Sequence, residues 1–337
     1  MTFNMRVGGY LLSLFALAGM TAYTRQAPRP GTPHTPVTKA QADRWATELS
    51  NWGRWGKDDQ LGALNLVTPQ KRQRAMALAR TGTVVSLERR VVLSPKPEES
   101  RADGKPHGVS FYEIRFKTFP AGDPRGNDGF SSDIQEFHVH GGMTHLDALC
   151  HDSDRGKLYN GFPLADTVTE AAGCTKLGLD NVKDGIVTRG ILVDMTRLKG
   201  AASRAPGSAV YPEDIEAWEK QTGLEVSSGD ALFVYNTAPA GRGAGAGVNG
   251  GFDLSIVPWL KTRGVAVTSG VRAIDDDRHA DHRLVLASLG VYLLDGVQLD
   301  RLAETAARLN RWEFLLVVAP PQVPGSTGAV VNPLAMF

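Results

Sequence analysis

Four of the chain's eight histidines, His138, His140, His145 and His151, fall within 14 consecutive residues that also contain Asp147. Even spacing would put about 0.3 of a histidine there, so chance clustering is a poor explanation. Imidazole nitrogens with a carboxylate suit Zn²⁺ or Mn²⁺, and a site with three protein ligands leaves room for a water to be activated. In an extended chain alternate residues share a face, so His138 projects with His140, and His145 with Asp147. If the chain turns helical after Asp147, His151 follows at the i+4 position and lies over the same end. Gly141 and Gly142 let the backbone swing so that a histidine of the first pair meets the second. The competing reading of these residues is a set of solvated or core-satisfied histidines beside a helix cap.

Other chemistries are less well supported. Cys150 and Cys174 are too few for a thiolate zinc site or a disulfide framework and leave room for a single disulfide. Cys150 is a poor nucleophile, because on a helix its side chain points away from that of the adjacent His151; packing is the role expected of it. No G-x-S-x-G elbow is present, so a serine hydrolase has no visible nucleophile. Gly245 to Gly250 matches G-x-G-x-x-G, yet neither a strand nor a helix flanks it as phosphate cradling requires, and it reads as a loop. The charged run Asp275 to Asp281 reads as solvated loop, with His282 set apart from it. Trp52 and Trp55 read as buried structural residues rather than as a platform for an aromatic substrate.

The elements that must position these residues read as mixed α/β. Helices are expected over Gln41 to Leu49, Thr68 to Ala79, Tyr211 to Gln221 and Leu299 to Leu309. Strands are expected over Thr83 to Leu93, Phe111 to Phe116, Asp133 to His140, Gly185 to Asp194, Ala231 to Tyr235, Val265 to Thr268 and Glu313 to Ala319. Periodicity alone does not assign the apolar stretch Leu284 to Leu294. Strands outnumber helices without regular alternation, which argues against a doubly wound parallel sheet.

The 337 residues, 42% of them apolar, suffice for a sizeable core, and a net charge of +1 gives no field to draw nucleic acid or anionic lipid. Residues 1–22, with Arg6, an apolar run from Val7 to Met20 and an Ala16-Leu17-Ala18 site, read as a cleaved signal peptide, so the expected location is periplasmic or secreted. The run is short for a bilayer span, and Met20 stands where a lipobox needs cysteine. Residues 23–39 read as a Pro-rich linker and 40–337 as the folded domain.

Thr144-His145-Leu146-Asp147-Ala148-Leu149-Cys150-His151 resembles the T-H-x-D-x-x-x-H core of the metal-dependent cyclase-like hydrolase family, of the kynurenine formamidase and isatin hydrolase type. The likeness to its longer members spans roughly residues 45 to 337. It includes Trp52-Gly53, Leu61 to Asn65, Thr68-Pro69, Leu158 to Gly161, Thr188-Arg189-Gly190, Gly229-Asp230 and Gly328 to Pro333. The resemblance implies a swivelling β/β/α fold as a single mixed-sheet domain, a divalent metal (Zn or Mn), a small-molecule substrate and a homo-oligomer. Carried over position by position, His145 and Asp147 match metal ligands. His151 matches the proton-transfer residue that doubles as a second-site ligand. The family's first ligand position falls on Gly141, so a one-residue adjustment makes it His140, with His138 as the fallback. His282 matches the late family histidine, and Asp295 stands where two-metal members often have Glu, which makes one ion the expected count.

The expected activity is hydrolysis of an amide, lactam, N-formyl, cyclic imide or related carbonyl bond by a metal-activated water, with His151 moving the proton. A metal-dependent cyclase or lyase, and a non-catalytic periplasmic metal- or ligand-binding protein, are the alternatives.

Overall fold

The run Ile-Val-Thr-Arg-Gly-Ile-Leu-Val-Asp loses its polar alternation after Arg189, the pattern of a strand covered on both faces. It forms the nine-residue strand Ile186–Asp194, whose last five residues are all buried. This strand, β7, lies in the middle of a nine-stranded mixed sheet with the order β1-β13-β11-β7-β8-β9-β10-β4-β12. The other members are β1 (Val84–Ser86), β4 (His145–Asp147), β8 (Ala231–Tyr235), β9 (Val267–Thr268), β10 (Tyr292–Asp295), β11 (Glu313–Val318), β12 (Gly328–Val330) and β13 (Leu334–Met336). The four neighbours β7, β8, β9 and β10 run parallel, and antiparallel pairs extend the sheet on both sides. Two hairpins stand outside it: β2 (Tyr112–Phe119) with β3 (Phe130–Phe137), and β5 (Val168–Thr169) with β6 (Gly173–Cys174).

The computed structural model describes residues 34–90, 112–122, 129–140, 142–204, 208–236, 251–274 and 276–337. The chain divides into a unit Met1–His34 and a unit Thr35–Phe337, and every element named here belongs to the second. The expected signal peptide, most of the linker, the loop Gly245 to Gly250, Gly141 and Asp275 lie outside the described residues.

The helices follow their local signals. Thr38 and Thr68 cap α1 (Lys39–Glu48) and α2 (Pro69–Met76), each hydroxyl accepting a backbone N–H of the first turn, and α2 has Pro at its start. α3 (Pro212–Thr222) ends at Gly223 in the left-handed conformation. α4 (Val257–Arg263), which periodicity does not reveal, buries Val257, Trp259 and Leu260. α5 (Asp300–Leu309) turns Leu302, Ala303 and Ala306 into the core.

Three expectations change. The strand expected over Asp133 to His140 ends at Phe137, and a turn follows at Val139 and His140. Of the strand expected over Thr83 to Leu93, residues 91–93 lie outside the described residues, and within the described part only Val84 to Ser86 pair with β13. The ambiguous stretch Leu284 to Leu294 divides: Ala280–His282 is helical, Arg283–Ser288 continues it as a π-helix, and β10 follows. Its residues are buried throughout, which removes the polar spacing by which period is read.

Family motifs that look chemical prove to be joints of this fold. Asn160, at φ 59°, accepts from the Gly53 amide at 2.7 Å and donates to the carbonyls of Gly56, Lys57 and Asp59. Arg189 grips Asp230 with Nε at 2.9 Å and Nη2 at 2.6 Å, and the buried Lys71 ammonium from α2 pairs with the same carboxylate. Thr188 donates its hydroxyl to the Gly229 carbonyl at 2.5 Å.

Candidate metal centre

The three-residue strand β4 is buried in full and paired on both sides. His145 stands opposite Asp295 of β10 and Val330 of β12, and Asp147 stands opposite Gly328. Directly opposed residues of an antiparallel pair share a face, so His145, Asp147 and Asp295 project together. Gly328 is where the next ring finds room: a Cβ there would lie 2.8 Å from Cε1 of His140. Thr144 fastens the assembly, donating to the Gly296 carbonyl at 2.8 Å and accepting the Arg89 amide at 2.8 Å.

Around the wholly buried Asp147 stand three imidazoles. Its Oδ1 lies 3.1 Å from His140 Nδ1 and 3.3 Å from His145 Nε2, and its Oδ2 lies 3.5 Å from His282 Nε2. His282 Nε2 is also 3.7 Å from Asp295 Oδ2, and its Nδ1 is 3.1 Å from Asp281 Oδ1. His151 stacks on His140 at 3.7 Å between ring centroids, with planes 9° apart, and meets His282 edge-on at 5.7 Å. Yet neither oxygen of Asp147, nor Nδ1 of His140, has a donor or acceptor in hydrogen-bonding alignment.

The outer contacts of the rings are specific. The Met143 carbonyl can only accept, so at 2.8 Å it holds a proton of His145 on Nδ1 and turns Nε2 toward Asp147. His140 meets the Thr327 hydroxyl through Nε2 at 3.1 Å, leaving Nδ1 toward Asp147. Two sets of potential ligand atoms converge within 4.8 Å, His140 with Asp147 and His151, and His145 with Asp147 and Asp295.

Electrostatics separate the histidines. Burial penalises the charged form of His145, but the Asp147 carboxylate beside it outweighs that penalty and raises the imidazole to about 9. His282 is likewise penalised by burial, and Asp147 and Asp281 push it up to about 12. His151 goes the other way: burial dominates, aided by the neighbouring imidazoles, and lowers it to about 4. Burial raises Asp295, with Asp147 adding like-charge repulsion. For Asp147 burial is the largest influence, but the surrounding imidazoles hold its carboxyl well below the usual range.

The residues expected from sequence therefore meet, by another route. His140 reaches the centre from a turn rather than from a pleat shared with His138. His138 remains beside it, 6.2 Å from His140 between ring centroids and outside both ligand sets. His151 follows a tight turn closed by its amide on the Ala148 carbonyl at 2.9 Å, not a helix. His140 and His145 fall in different sets, joined by Asp147. The charged run before His282 is not simply solvated: Asp281 is buried against His282, and Asp277 pairs with Arg283. Cys150 packs as expected and is also disulfide-bonded to Cys174, which excludes it as a nucleophile. Trp52 keeps 37% of its surface exposed, correcting the expectation of burial, although its indole N–H donates to the Ala287 carbonyl at 2.7 Å. Sequence reasoning missed Thr327, Met143 and Asp281, which touch the rings through contacts distant in sequence or through backbone.

A family model described as "Putative cyclase" matches residues 72–276. The chain belongs to this cyclase family. A solved structure described as a novel cyclase is similar over 87% of this chain and 99% of its own, with 27% identity and a TM-score of 0.70. An isatin hydrolase bound to the product analogue thioisatinate shares the fold over 80% of this chain and 99% of its own, at 17% identity and a TM-score of 0.50. Isatin hydrolase A from Ralstonia solanacearum is 17% identical over 78% of this chain and 95% of its own, with a TM-score of 0.49. No curated protein matches the sequence. The mixed α/β fold of this cyclase-family chain is the one expected from its residues.

The centre fits a divalent cation. A buried carboxylate without an aligned donor costs several kcal/mol unless a cation faces it. A mixed donor set of imidazole and carboxylate suits a divalent transition metal or zinc.

Proposed function

We propose that this cyclase-family protein is a metal-dependent hydrolase of a carbon–nitrogen bond in an amide, lactam, N-formyl group or cyclic imide, or of a related carbonyl bond. The observation that carries the reading is Asp147, wholly buried with both oxygens lacking aligned donors amid three ring nitrogens. Asp147 would hold the ion, with His140 and His151 in one converging set and His145 and Asp295 in the other, and with His282 beside both. A bound divalent ion supplies Lewis acidity to a carbonyl and lowers the pKa of water.

The chain's own residues supply the rest. His151 is neutral at pH 7, because burial holds its imidazole near 4, and a neutral imidazole can take the proton of an attacking water and pass it to the leaving nitrogen. Stacking on His140 orients the ring. Asp147 and Asp281 beside it favour the charged form of His282, which suits it to a developing negative charge rather than to proton abstraction.

Turnover of a panel of N-formyl anilines, lactams and cyclic imides, with and without chelator, tests the proposal. Chelator-sensitive hydrolysis of one class supports it. Ring closure or elimination without hydrolysis would move the assignment to a cyclase or lyase, the reading favoured by the likeness to the solved cyclase. Tight metal binding without any turnover would make it a binding protein.

The same reading includes export to the periplasm or medium and assembly as a homo-oligomer. The Cys150–Cys174 disulfide supports export, since such bonds persist in oxidising compartments. No helix among the described residues is long and apolar enough to cross a membrane. N-terminal sequencing of protein from its native host should find a mature start between Gly19 and Tyr23, and a chain in the cytosol still beginning at Met1 would refute export. Sedimentation of the purified protein tests the oligomer, which a monomer at all concentrations would exclude.

A further inference from the structure

We propose that Arg283 is the positioning residue of this centre, clamping the segment that follows His151 to the helix that carries His282. The inference rests on the reading of the histidine cluster as a metal site and deepens it.

The guanidinium is nearly buried and holds three carboxylates from three parts of the chain. Nη1 donates to Asp154 Oδ1 at 2.8 Å, Nη2 donates to Asp277 Oδ2 at 2.6 Å, and Nη2 lies 3.0 Å from Asp43 Oδ1 of α1. Asp154 sits three residues after His151 and is fixed by reciprocal backbone bonds with Lys157, at 2.8 and 2.9 Å. Asp277 sits five residues before His282, and its carbonyl accepts the Ala280 amide that opens the helix. Arg283 thus holds the two segments by the two arms of one planar group, an arrangement Lys cannot reproduce. His279 adds an outer strap, with Nδ1 3.1 Å from Asp152 Oδ2, but its ring is largely exposed and screened.

Those segments need a clamp. Among the described residues the ring of His151 has only its stacking on neighbouring imidazoles, and no hydrogen bond. His282 and His151 lie 131 positions apart in sequence and on elements that are not paired in the sheet. Immediately after His282 the helix widens into the π-turns Arg283–Ser288, an arrangement that re-aims side chains and occurs often at functional sites. Stability alone does not call for Arg283, because well-packed apolar residues commonly replace buried ion pairs without loss.

The test compares Arg283→Gln, Arg283→Lys and Asp154→Asn with Asp43→Asn, which removes the arm reaching α1, a helix without site residues. Affinity for Zn²⁺ and Mn²⁺ is measured by chelator competition well below each variant's melting midpoint. Histidine ring ¹⁵N–¹H signals are recorded in the metal-free proteins. Arg283→Gln and Asp154→Asn should weaken metal binding about 10- to 100-fold, as loss of partners that orient ligands does, with Arg283→Lys between them and the wild type. The ring signals of His151 and His282 should shift while that of His145 stays. Asp43→Asn should lower the melting midpoint alone. Metal affinity and ring signals unchanged in folded Asp154→Asn and Arg283→Lys would overturn the proposal, as would an equal loss in Asp43→Asn. Should the wild type bind neither ion, the metal reading falls, and the ring signals of the metal-free variants still decide whether Arg283 positions the two histidines.

Discussion

Asp295 stands directly across the β4–β10 pair from His145, so a carboxylate and an imidazole from segments 150 residues apart meet on one face of the sheet. The register of two short strands thus completes the second ligand set that His145 and Asp147 begin. Asp295→Ala should lower the number of ions retained after dialysis or weaken their retention, while Asp295→Glu, one methylene longer, should keep them. Elemental analysis decides, and full retention in Asp295→Ala would place the ion wholly with His140, Asp147 and His151.

His151 belongs to a ligand set and is also the neutral imidazole beside it. Its two roles separate in His151→Asn, which cannot carry the proton. As general base it predicts a fall in kcat of about 10² to 10⁴ with metal and substrate-analogue affinity retained. Metal lost in proportion to rate would make His151 a ligand instead and move the general base to another group. An unchanged kcat would remove it from the chemistry.

The metal-free protein should lose stability as the pH rises. His145 is raised from 6.5 to about 9 and His282 to about 12, so their contribution is complete below about pH 6.5 and lost as pH climbs through the folded values. His151, lowered to about 4, acts oppositely: its contribution is present above about 6.5 and lost as pH falls toward 4. Thermal melts between pH 6.5 and 9 should therefore show a falling midpoint without metal and a flat or rising one with Zn²⁺, because binding needs deprotonated imidazoles. A midpoint that rises in the metal-free protein over that range would contradict the assignment.

Asp230 is buried under Arg189 and Lys71 and belongs to neither ligand set. Asp230→Ala should destabilise the fold by about 3 to 5 kcal/mol, since it strands the buried Lys71 ammonium and leaves Arg189 only Glu313 as carboxylate partner, and leave the metal content of the folded protein unchanged. Urea unfolding with elemental analysis checks both, and a change below about 1 kcal/mol would show that water reaches the cluster.

The disulfide closes a loop between residues 24 apart, so Cys150→Ser with Cys174→Ser should cost about 3 kcal/mol by the chain-entropy account. Alkylation of the unfolded native protein should find no free thiol, and two labelled thiols in protein from an oxidising host would show that the bond does not form.

Local chemistry in the sequence determined the caps, the helices Lys39–Glu48, Pro69–Met76, Pro212–Thr222 and Asp300–Leu309, and the strand Ile186–Asp194, because capping and periodicity act over neighbouring residues. It also determined that His145 and Asp147 share a face, since one pleat separates them. The choice between His138 and His140 was not local: the strand stops at Phe137, and only Gly328, 188 residues on, leaves space for the His140 ring. The resemblance pointed to Asn160, Arg189 and Asp230 without saying that they join segments rather than react, because a motif records identity and not contact. Asp295, Asp281, Thr327 and Arg283 acquire their places from strand register and helix packing. Those long-range contacts form only when the sheet closes, so tertiary structure alone decides which carboxylate faces which imidazole.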